Sequence, residues 1–199
     1  MALQPIRKYG DPILRKKATP VQDFGAALQQ LFVDMVDTMQ ATHGVGLAAN
    51  QIGRTESMCV VDQGLIEESA SNSDAPASAR VIEPVRAFVN PKLLEESREE
   101  NELEEGCLSI PEIHEQVTRK LQIRVRYQDL DGKEREEVFH GMIARVLQHE
   151  IDHLNGIFFV DRISSIRRKL LSKKLKAIAE EAQQEALERK QQRAPVEGF

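Results

Sequence analysis

The chain has 199 residues, of which 41% are hydrophobic and 30% charged, and its formal net charge is −5. This length and composition fit one domain. Because Trp is absent, its core is expected to be largely aliphatic. No apolar run approaches the ~20 residues that cross a bilayer, no signal peptide is evident and only two cysteines occur, so we expect a cytoplasmic protein without membrane contact.

The N-terminal part of the chain predicts an extended arm followed by an amphipathic helix. Turn signals within residues 5–22 mark the arm. After Asp23, apolar residues recur at helical spacing and predict a helix over 24–41, with Asp23 as its N-cap. The next segment is dense in glycine, which lets a backbone approach another group closely.

Two short strands and a loop are predicted next. The apolar run 58–61 indicates a buried strand, and 86–90 indicates a second strand that ends at Pro91. Residues 67–80 contain four Ser and four Ala without periodicity, which predicts a surface loop.

The second half of the chain predicts a hairpin and two helices. Apolar and polar residues alternate over 121–127, and Asp131-Gly132 forms the turn before a returning strand. Two adjacent apolar stripes predict a buried helix over 142–154, and a last helix spans 166–192. The predicted fold is α+β, with short, mostly antiparallel strands around the central helix, an N-terminal helix and a long C-terminal helix.

The strongest chemical motif is His149-Glu150-Ile151-Asp152-His153, an H-E-x-x-H sequence inside the predicted buried helix. Residues i and i+4 share one helix face with Cβ atoms ~5–6 Å apart, so two imidazoles can bind one metal ion there. Glu150 lies beside that face and can reach a water without being a ligand. Because buried polar groups need partners, the apolar neighbours favour a metal site over a pair of solvated histidines.

A catalytic metal site uses three protein ligands and leaves one position for water, so a third ligand must come from elsewhere. We favour Cys107, because Gly106 and Pro111 constrain an irregular segment that suits the presentation of a thiolate. Cys59 lies in an apolar run and is predicted to be an inert core cysteine. The other candidates are the acidic residues and three histidines, His43, His114 and His140.

Three segments in this order resemble the peptide deformylase family. They are GVGLAANQ at 44–51, EGCLS at 105–109 and QHEIDH at 148–153. The sequence YGDP at 9–12 and Asn90-Pro91 also look like the family, and the similarity covers residues 4–165. The resemblance implies an α+β fold and a hydrolase that removes the N-formyl group from the formyl-methionine of nascent peptides, releasing formate.

The resemblance also implies a role for each motif residue. One divalent ion would be held, ferrous iron in the family, with zinc, nickel or cobalt as alternatives. Its ligands would be Cys107, His149 and His153. Glu150 would take a proton from water and return it to the leaving amine. The Gln51 side-chain amide and the Leu108 backbone N–H would stabilise the oxyanion of the tetrahedral intermediate.

The same resemblance implies a substrate groove. The strand edge at 44–46 would pair with the substrate backbone, and Gly46 and Gly106 belong to the set of substrate-binding residues. The methionine side chain would enter an apolar pocket lined by Val45, Met142, Arg145 and Val146. The stem of Arg145 is expected to pack along this pocket while its head stays in water. His114 stands where family members often carry a basic residue near the substrate.

Two other functions stay open on the residues alone. A zinc endopeptidase would share the H-E-x-x-H motif, although the Cys107 segment and the lack of a downstream Glu ligand count against it. A domain with a purely structural metal site would need neither Glu150 nor Gln51, and both are present.

The C-terminal helix carries an uneven charge. Ten Lys/Arg and four Asp/Glu lie between Arg162 and Arg193. Six of these basic residues cluster early: Arg167, Arg168, Lys169, Lys173, Lys174 and Lys176. The resemblance implies docking on ribosomal RNA through this cluster, with a helix that only caps the fold as the alternative.

We assign residues 1–165 to a catalytic domain and residues 166–199 to a basic helix and tail of the same domain. The final turns of the predicted helix have few apolar residues and almost nothing to bury. Deletion of 177–199 is therefore expected to leave activity on a short formyl-peptide intact.

Overall fold

The computed structural model describes residues 3–70 and 85–193. Its α-helices are Ala26–Ala41 (α1), Gln63–Ala70 (α2), Gly141–Leu154 (α3) and Ser165–Arg193 (α4). Its strands are Gly46–Ala48 (β1), Met58–Asp62 (β2), Val85–Glu96 (β3), Glu100–Cys107 (β4), Ile110–Lys120 (β5), Gln122–Gln128 (β6) and Glu134–His140 (β7). These elements confirm the predicted α+β class.

The strands form two antiparallel sheets. Five of them follow the order β1-β2-β3-β6-β7, and β4 pairs with β5 in a separate hairpin. Each pair is antiparallel, as the sequence predicted for most of the strands.

The helices α1 and α3 cover opposite faces of β2. Successive strand residues point to opposite faces. Cys59 and Val61 therefore lie in the buried cluster that contains the apolar side of α3, whereas Met58 and Val60 lie in the cluster formed with α1. This layering places α3 at the centre of the molecule, as predicted.

The start of α1 differs from its prediction. Its N-cap is Gly25, so the assignment of Asp23 to that position is wrong. Asp23 instead accepts a hydrogen bond of 2.9 Å from the backbone N–H of Gly25. Gly25 is extended, and Phe24 packs against the α1 cluster from outside the helix.

The strand β3 does not end at Pro91, as the sequence suggested, but continues to Glu96. Its pairing with β6 shifts register between Val89 and Lys92, and Asn90 adopts a φ of 52°. This bulge accommodates the proline nitrogen, which has no hydrogen to donate to the ladder. The Asn90 side chain binds the backbone N–H and carbonyl of Val21, at 2.8 and 2.9 Å, and so ties the arm to the bulge.

Two further regions depart from expectation. The β4–β5 hairpin was not predicted, because a run of glutamates over 99–105 masks the alternation that marks a strand. The loop predicted over 67–80 begins inside α2, which extends to Ala70. The rest of that loop, residues 71–80, lies outside the described residues.

The last helix is longer and better anchored than its sequence suggests. It docks through Leu171, Leu175 and Ile178 on the cluster that contains Phe158 and Phe159. The expectation that its later turns have almost nothing to bury is wrong, because they contact the N-terminal arm. Among the helices that the structure describes, none combines the length and the apolarity needed to cross a bilayer.

The contacts between these later turns and the arm are close. Ala182 is 1% exposed, and a Cβ on Gly10 would lie 2.6 Å from the backbone of Ala179. Arg189 lies 3.5 Å from a carboxylate oxygen of Asp11. The small residue at position 10 allows this close approach, so arm and helix stabilise each other.

Candidate metal centre and active site

Three candidate ligands converge where α3 faces the β4–β5 hairpin. His149 and His153 lie one helical turn apart with their Nε2 atoms 3.2 Å apart. The Cys107 Sγ atom lies 3.1 Å from Nε2 of His153. Ligand atoms of all three residues lie within 4.8 Å of one another. Cys107 therefore occupies the position that the sequence assigned to the third ligand. It is the last residue of β4, where the pairing with β5 shifts register between Glu105 and Cys107.

The second cysteine lies apart from this cluster. Cys59 is fully buried in the core between β2 and α3. Burial raises the pKa of its thiol well above the usual value, so it stays protonated. This environment agrees with its predicted role as core packing.

Glu105 holds the first histidine. Its Oε2 atom lies 3.0 Å from Nδ1 of His149, and its two oxygens accept hydrogen bonds of 2.9 and 3.0 Å from Arg119. Burial acts to raise the pKa of Glu105, but the hydrogen bonds from His149 and Arg119 outweigh it and hold the pKa at about 2. The carboxylate is therefore charged and fixes which nitrogen of His149 faces the ligand cluster.

The ion-pair network extends from Glu105 to a second carboxylate, that of Asp152 on α3. Arg119 also donates to Asp152, whose carboxylate is bound by Arg162 as well. Glu105, Arg119 and Asp152 were not predicted as a set. The one signal in the sequence was the position of Glu105 directly before Gly106-Cys107, but its acidic neighbours gave it the appearance of a solvated residue.

Arg145 belongs to the same network, which corrects one expectation. Its side chain is 4% exposed, and its guanidinium donates to Glu105 at 2.6 Å. It also donates to the backbone of Val117 and to the backbone and side chain of Asn101. The head of Arg145 is therefore buried and paired, not in water. Arg145 still lines the pocket, although its side chain is buried.

The histidines differ in their protonation. Burial and the nearby charge of His149 lower the pKa of His153 well below its usual value, so its imidazole is neutral. Burial also acts to lower the pKa of His149, but hydrogen bonds to Cys107 and Glu105 outweigh it and raise that pKa to about 10. A metal ion that binds Nε2 of His149 must therefore displace a proton.

Glu150 is the buried carboxylate of the pocket. It is 4% exposed, and its Oε2 atom has no hydrogen-bond partner in the described part of the chain. Burial raises the pKa of this carboxyl to about 7. Gly46 is needed beside it, because a Cβ at that position would lie 2.6 Å from Oε1 of Glu150.

Gln51 lies on a short 3-10 turn, Ala49–Ile52, next to the cluster. Its Oε1 atom accepts a hydrogen bond of 2.8 Å from the backbone N–H of Ala48. This contact turns the Nε2 group toward Ser109 Oγ, at 3.3 Å, and Cys107 Sγ, at 3.6 Å. The amide donor therefore faces the ligand cluster.

A pocket of about 440 Å³ opens over these residues. Its apolar part includes Val45, Met142, Val146 and Leu108, and Val45 and Met142 are partly exposed at 37% and 43%. Gly106 also lines it, with the ring of His114 so near that a Cβ on Gly106 would lie 2.6 Å away. All of the sequence-predicted substrate-binding and catalytic residues border this one pocket.

The donor set fits a divalent transition metal. A thiolate and two imidazoles are the ligands preferred by zinc, iron and related ions, and three protein ligands leave a position for water. The unpartnered oxygen of Glu150 next to the cluster is the group such a site needs for moving a proton.

Known proteins are similar to this chain in sequence and fold. A family model described as polypeptide deformylase matches residues 3–169. A peptide deformylase of Salinibacter ruber is 44% identical over 172 residues, which cover 86% of this chain and 86% of the relative. A peptide deformylase of Thermotoga petrophila is 44% identical over 174 residues, covering 87% and 95%. The solved peptide deformylase from Thermus thermophilus gives a TM-score of 0.77 at 38% identity, covering 90% of this chain and 99% of that one.

Proposed function

The chain belongs to the peptide deformylase family, which removes the N-formyl group from nascent peptides by hydrolysis, and we propose that the pocket over α3 is where this chain does so. One observation carries the proposal. The ligand atoms of Cys107, His149 and His153 converge within 4.8 Å beside the unpartnered carboxylate oxygen of Glu150. The products are formate and a peptide with a free N-terminal methionine.

Cys107, His149 and His153 would hold one divalent ion, for which we propose ferrous iron, with zinc, nickel or cobalt as alternatives. When bound, the ion supplies Lewis acidity, which makes water a better nucleophile at neutral pH. The pair formed by Glu105 and His149 supports this assignment, because it turns the Nε2 atom of His149 toward the other two ligands.

Glu150 is proposed to move the proton. Its raised pKa of about 7 suits a group that accepts a proton from the attacking water and later donates it. The acceptor in the second step is the amide nitrogen of methionine, which leaves as the amine when the carbon–nitrogen bond breaks.

Two donors are proposed for the developing oxyanion. The Gln51 Nε2 group is already oriented by the contact of Oε1 with Ala48. The backbone N–H of Leu108 follows Cys107 directly and is the second donor. Donors that are fixed before the reaction stabilise the charge without further reorganisation, and each is typically worth ~3–4 kcal/mol.

The methionine side chain is proposed to fill the apolar part of the pocket. Val45, Met142 and Val146 offer it carbon surface, and the paired head of Arg145 closes the same space from below. The backbone at Gly46 belongs to β1, an edge strand of the five-stranded sheet, and is proposed to pair with the substrate backbone. Gly106 and His114 also border this pocket.

We also propose a cytoplasmic location and one catalytic domain over residues 1–165.

Docking on the ribosome through α4 is the last part of the proposal. Arg167 pairs with Glu115 at 3.4 Å and Arg168 with Asp161 at 2.9 Å. Three further bases of α4 are exposed and form no ion pair within the described residues: Lys169, Lys173 and Lys174. Free exposed bases are the groups that bind a polyanionic RNA surface.

Formate release tests the function directly. The protein is purified without oxygen, loaded with Fe(II), and incubated with formyl-Met-Ala-Ser. We expect formate in step with the free amine, and no cleavage of casein. Casein cleavage without formate would favour the endopeptidase alternative. A metal-loaded protein inactive on both substrates would favour a structural metal site.

A further inference from the structure

A buried asparagine joins the turn that carries Gln51 to the helix that carries His153. Asn50 is 2% exposed and lies directly before Gln51 on the 3-10 turn Ala49–Ile52. Its Nδ2 group donates a hydrogen bond of 2.5 Å to the backbone carbonyl of His153 on α3, 103 positions away in the chain. The contact therefore connects the proposed oxyanion donor with one of the candidate metal ligands.

The carbonyl of His153 does not depend on this contact for a partner. It also accepts a hydrogen bond of 3.0 Å from the backbone N–H of Gly156, which lies just beyond the end of α3. A carbonyl oxygen has two acceptor sites, so both bonds are made at once. The bond from Asn50 therefore links two elements and is not needed to satisfy the end of the helix.

Two buried atoms of this same pair of residues have no hydrogen-bond partner within the described part of the chain. They are Oδ1 of Asn50 and Nδ1 of His153. The orientation of the Asn50 amide is fixed, because only its Nδ2 group can donate to a carbonyl. Buried polar atoms without partners are costly, so two of them on residues already in contact point to an interaction between them.

The chemistry of a metal ligand makes these two atoms complementary. A neutral imidazole has one donor nitrogen and one acceptor nitrogen. His153 faces the ligand cluster with Nε2, which lies 3.1 Å from Sγ of Cys107. When Nε2 binds an ion, the ring hydrogen lies on Nδ1 and needs an acceptor. Oδ1 of Asn50 is an acceptor without a donor.

We propose that Asn50 is a positioning residue that sets His153 and Gln51 relative to each other. Its Oδ1 atom accepts the Nδ1 hydrogen of His153, directly or through one water, while its Nδ2 group holds the carbonyl of the same residue. The inference rests on the proposed function, because it needs an ion at Nε2 of His153. Asn50 lies outside the pocket lining and acts through these two neighbours.

The first test is the imidazole N–H spectrum of the zinc-loaded protein, measured by proton–nitrogen NMR. Wild type should show slowly exchanging Nδ1–H signals from His153 and from His149, whose Nδ1 lies 3.0 Å from Glu105. The remaining histidines are exposed, so their ring hydrogens exchange quickly with water: His43, His114 and His140. In N50L, which removes donor and acceptor at similar size, the His153 signal should shift or broaden. The His149 signal should stay and serves as an internal control.

The second test separates positioning from folding. N50L should bind zinc about 10–100-fold more weakly in competition with a chelator, as loss of an outer partner of a ligand implies. It should also lower kcat for formate release far more than it changes KM, because the placement of Gln51 matters most in the transition state. Thermal melting identifies the temperature range in which the variant is folded.

The matched control is N155A. Asn155 also donates its side-chain amide to a carbonyl in the last turn of α3, that of Ile151, at 2.8 Å. This bond stays within the end of the helix and does not reach the turn Ala49–Ile52. The control should therefore keep the wild-type zinc affinity, kcat and His153 signal, even where its melting temperature falls.

N50D is the second variant and applies also if N50L does not fold. Its carboxylate keeps an acceptor for Nδ1 of His153 but cannot donate to the carbonyl. It should retain the slowly exchanging His153 signal and still lower kcat. Loss of that signal from folded N50D would overturn the inference.

The outcomes distinguish this inference from the proposed function. An unchanged His153 signal, or a zinc affinity equal to that of wild type, in folded N50L would overturn the inference and leave the proposed function standing. A wild-type protein that binds no zinc and releases no formate would count against the proposed function and remove this inference with it.

Discussion

Glu105 and His149 are joined across the interface between β4 and α3, with 3.0 Å between Oε2 and Nδ1. The contact links two segments that are 44 residues apart in the chain. The contact holds the imidazole at Nδ1 and leaves Nε2 directed toward His153 and Cys107. Arg119 in turn fixes Glu105, so a network of buried charges positions the candidate metal ligands.

Removal of Arg119 should therefore damage both stability and metal binding. In R119M, Glu105 and Asp152 each lose a buried partner, and breaking such a pair typically costs ~3–5 kcal/mol. The control R124M loses only exposed pairs with Glu95 and Glu136, for which we expect less than about 1 kcal/mol. Urea unfolding and metal titration measure the two effects. Equal loss of stability in both variants would contradict the role of the buried network.

The E150Q variant should keep its metal and lose its activity. The amide retains the shape of the carboxylate but cannot accept the proton, and this function is typically worth ~10²–10⁴-fold in rate. Metal analysis and formate release are measured on the same preparation. Normal turnover by metal-loaded E150Q would remove Glu150 from the mechanism, whereas loss of the metal would make it a ligand.

The two cysteines should respond differently to replacement by serine. C107S should weaken the binding of soft metals, because a hydroxyl is a poor substitute for a thiolate. C59S changes a fully buried core side chain and should lower stability while leaving metal stoichiometry unchanged. Metal content after dialysis against a weak chelator distinguishes them. Retention of metal by C107S together with its loss from C59S would show that the ligand set is wrong.

The Q51L variant should lower kcat far more than it changes KM. The Gln51 donor gains strength as the oxyanion forms, and loss of one such donor typically costs ~10²–10³-fold in kcat. The control S109A removes only the acceptor on the other side of the Gln51 amide, so we expect a much smaller change. Steady-state kinetics on formyl-Met-Ala-Ser provide the readout. A defect confined to KM would make Gln51 an ordinary binding residue.

Ribosome binding should depend on the exposed bases of α4. Replacing Lys169, Lys173 and Lys174 with glutamine should reduce cosedimentation with ribosomes at low salt, and wild-type binding should itself fall as salt rises. As a control, Lys190 and Arg193 near the end of α4 are replaced with glutamine, which also removes one positive charge per substitution. Equal pelleting of wild type and the triple variant would refute the docking proposal.

Deletion of 177–199 does not test the tail cleanly. It would remove Ile178, which packs on the cluster under the site, and Ala182, which is buried against the rest of the protein. We therefore expect the deletion to lower the melting temperature. Truncation after Arg189 retains these contacts and is the better variant for separating activity from docking.

The sequence alone predicted the elements whose signal is local. The helix α3 and its two histidines follow from 3.6-residue periodicity and i, i+4 spacing, as α1 follows from helical spacing and β6 from alternation. The strand β2 follows from an apolar run, and α4 from a composition rich in Lys, Ala, Glu and Gln. The hairpin β4–β5 escaped because repeated glutamates hide which side of a strand is buried. A bulge at Asn90 likewise let β3 pass a proline that reads as a strand end.

For the site, the H-E-x-x-H spacing indicated two histidine ligands with Glu150 beside them. The full ligand set, the proton carrier and the oxyanion donors came from the resemblance to the peptide deformylase family and stay predictions. Only the tertiary structure decided that Glu105 is buried and paired while the adjacent Glu104 stays exposed, and that the head of Arg145 is inside the protein. It also decided that the late turns of α4 pack on the arm at Gly10. The reason is physical: the spacing along a helix or strand is set by the backbone, but the burial and partner of a charge depend on residues distant in the chain.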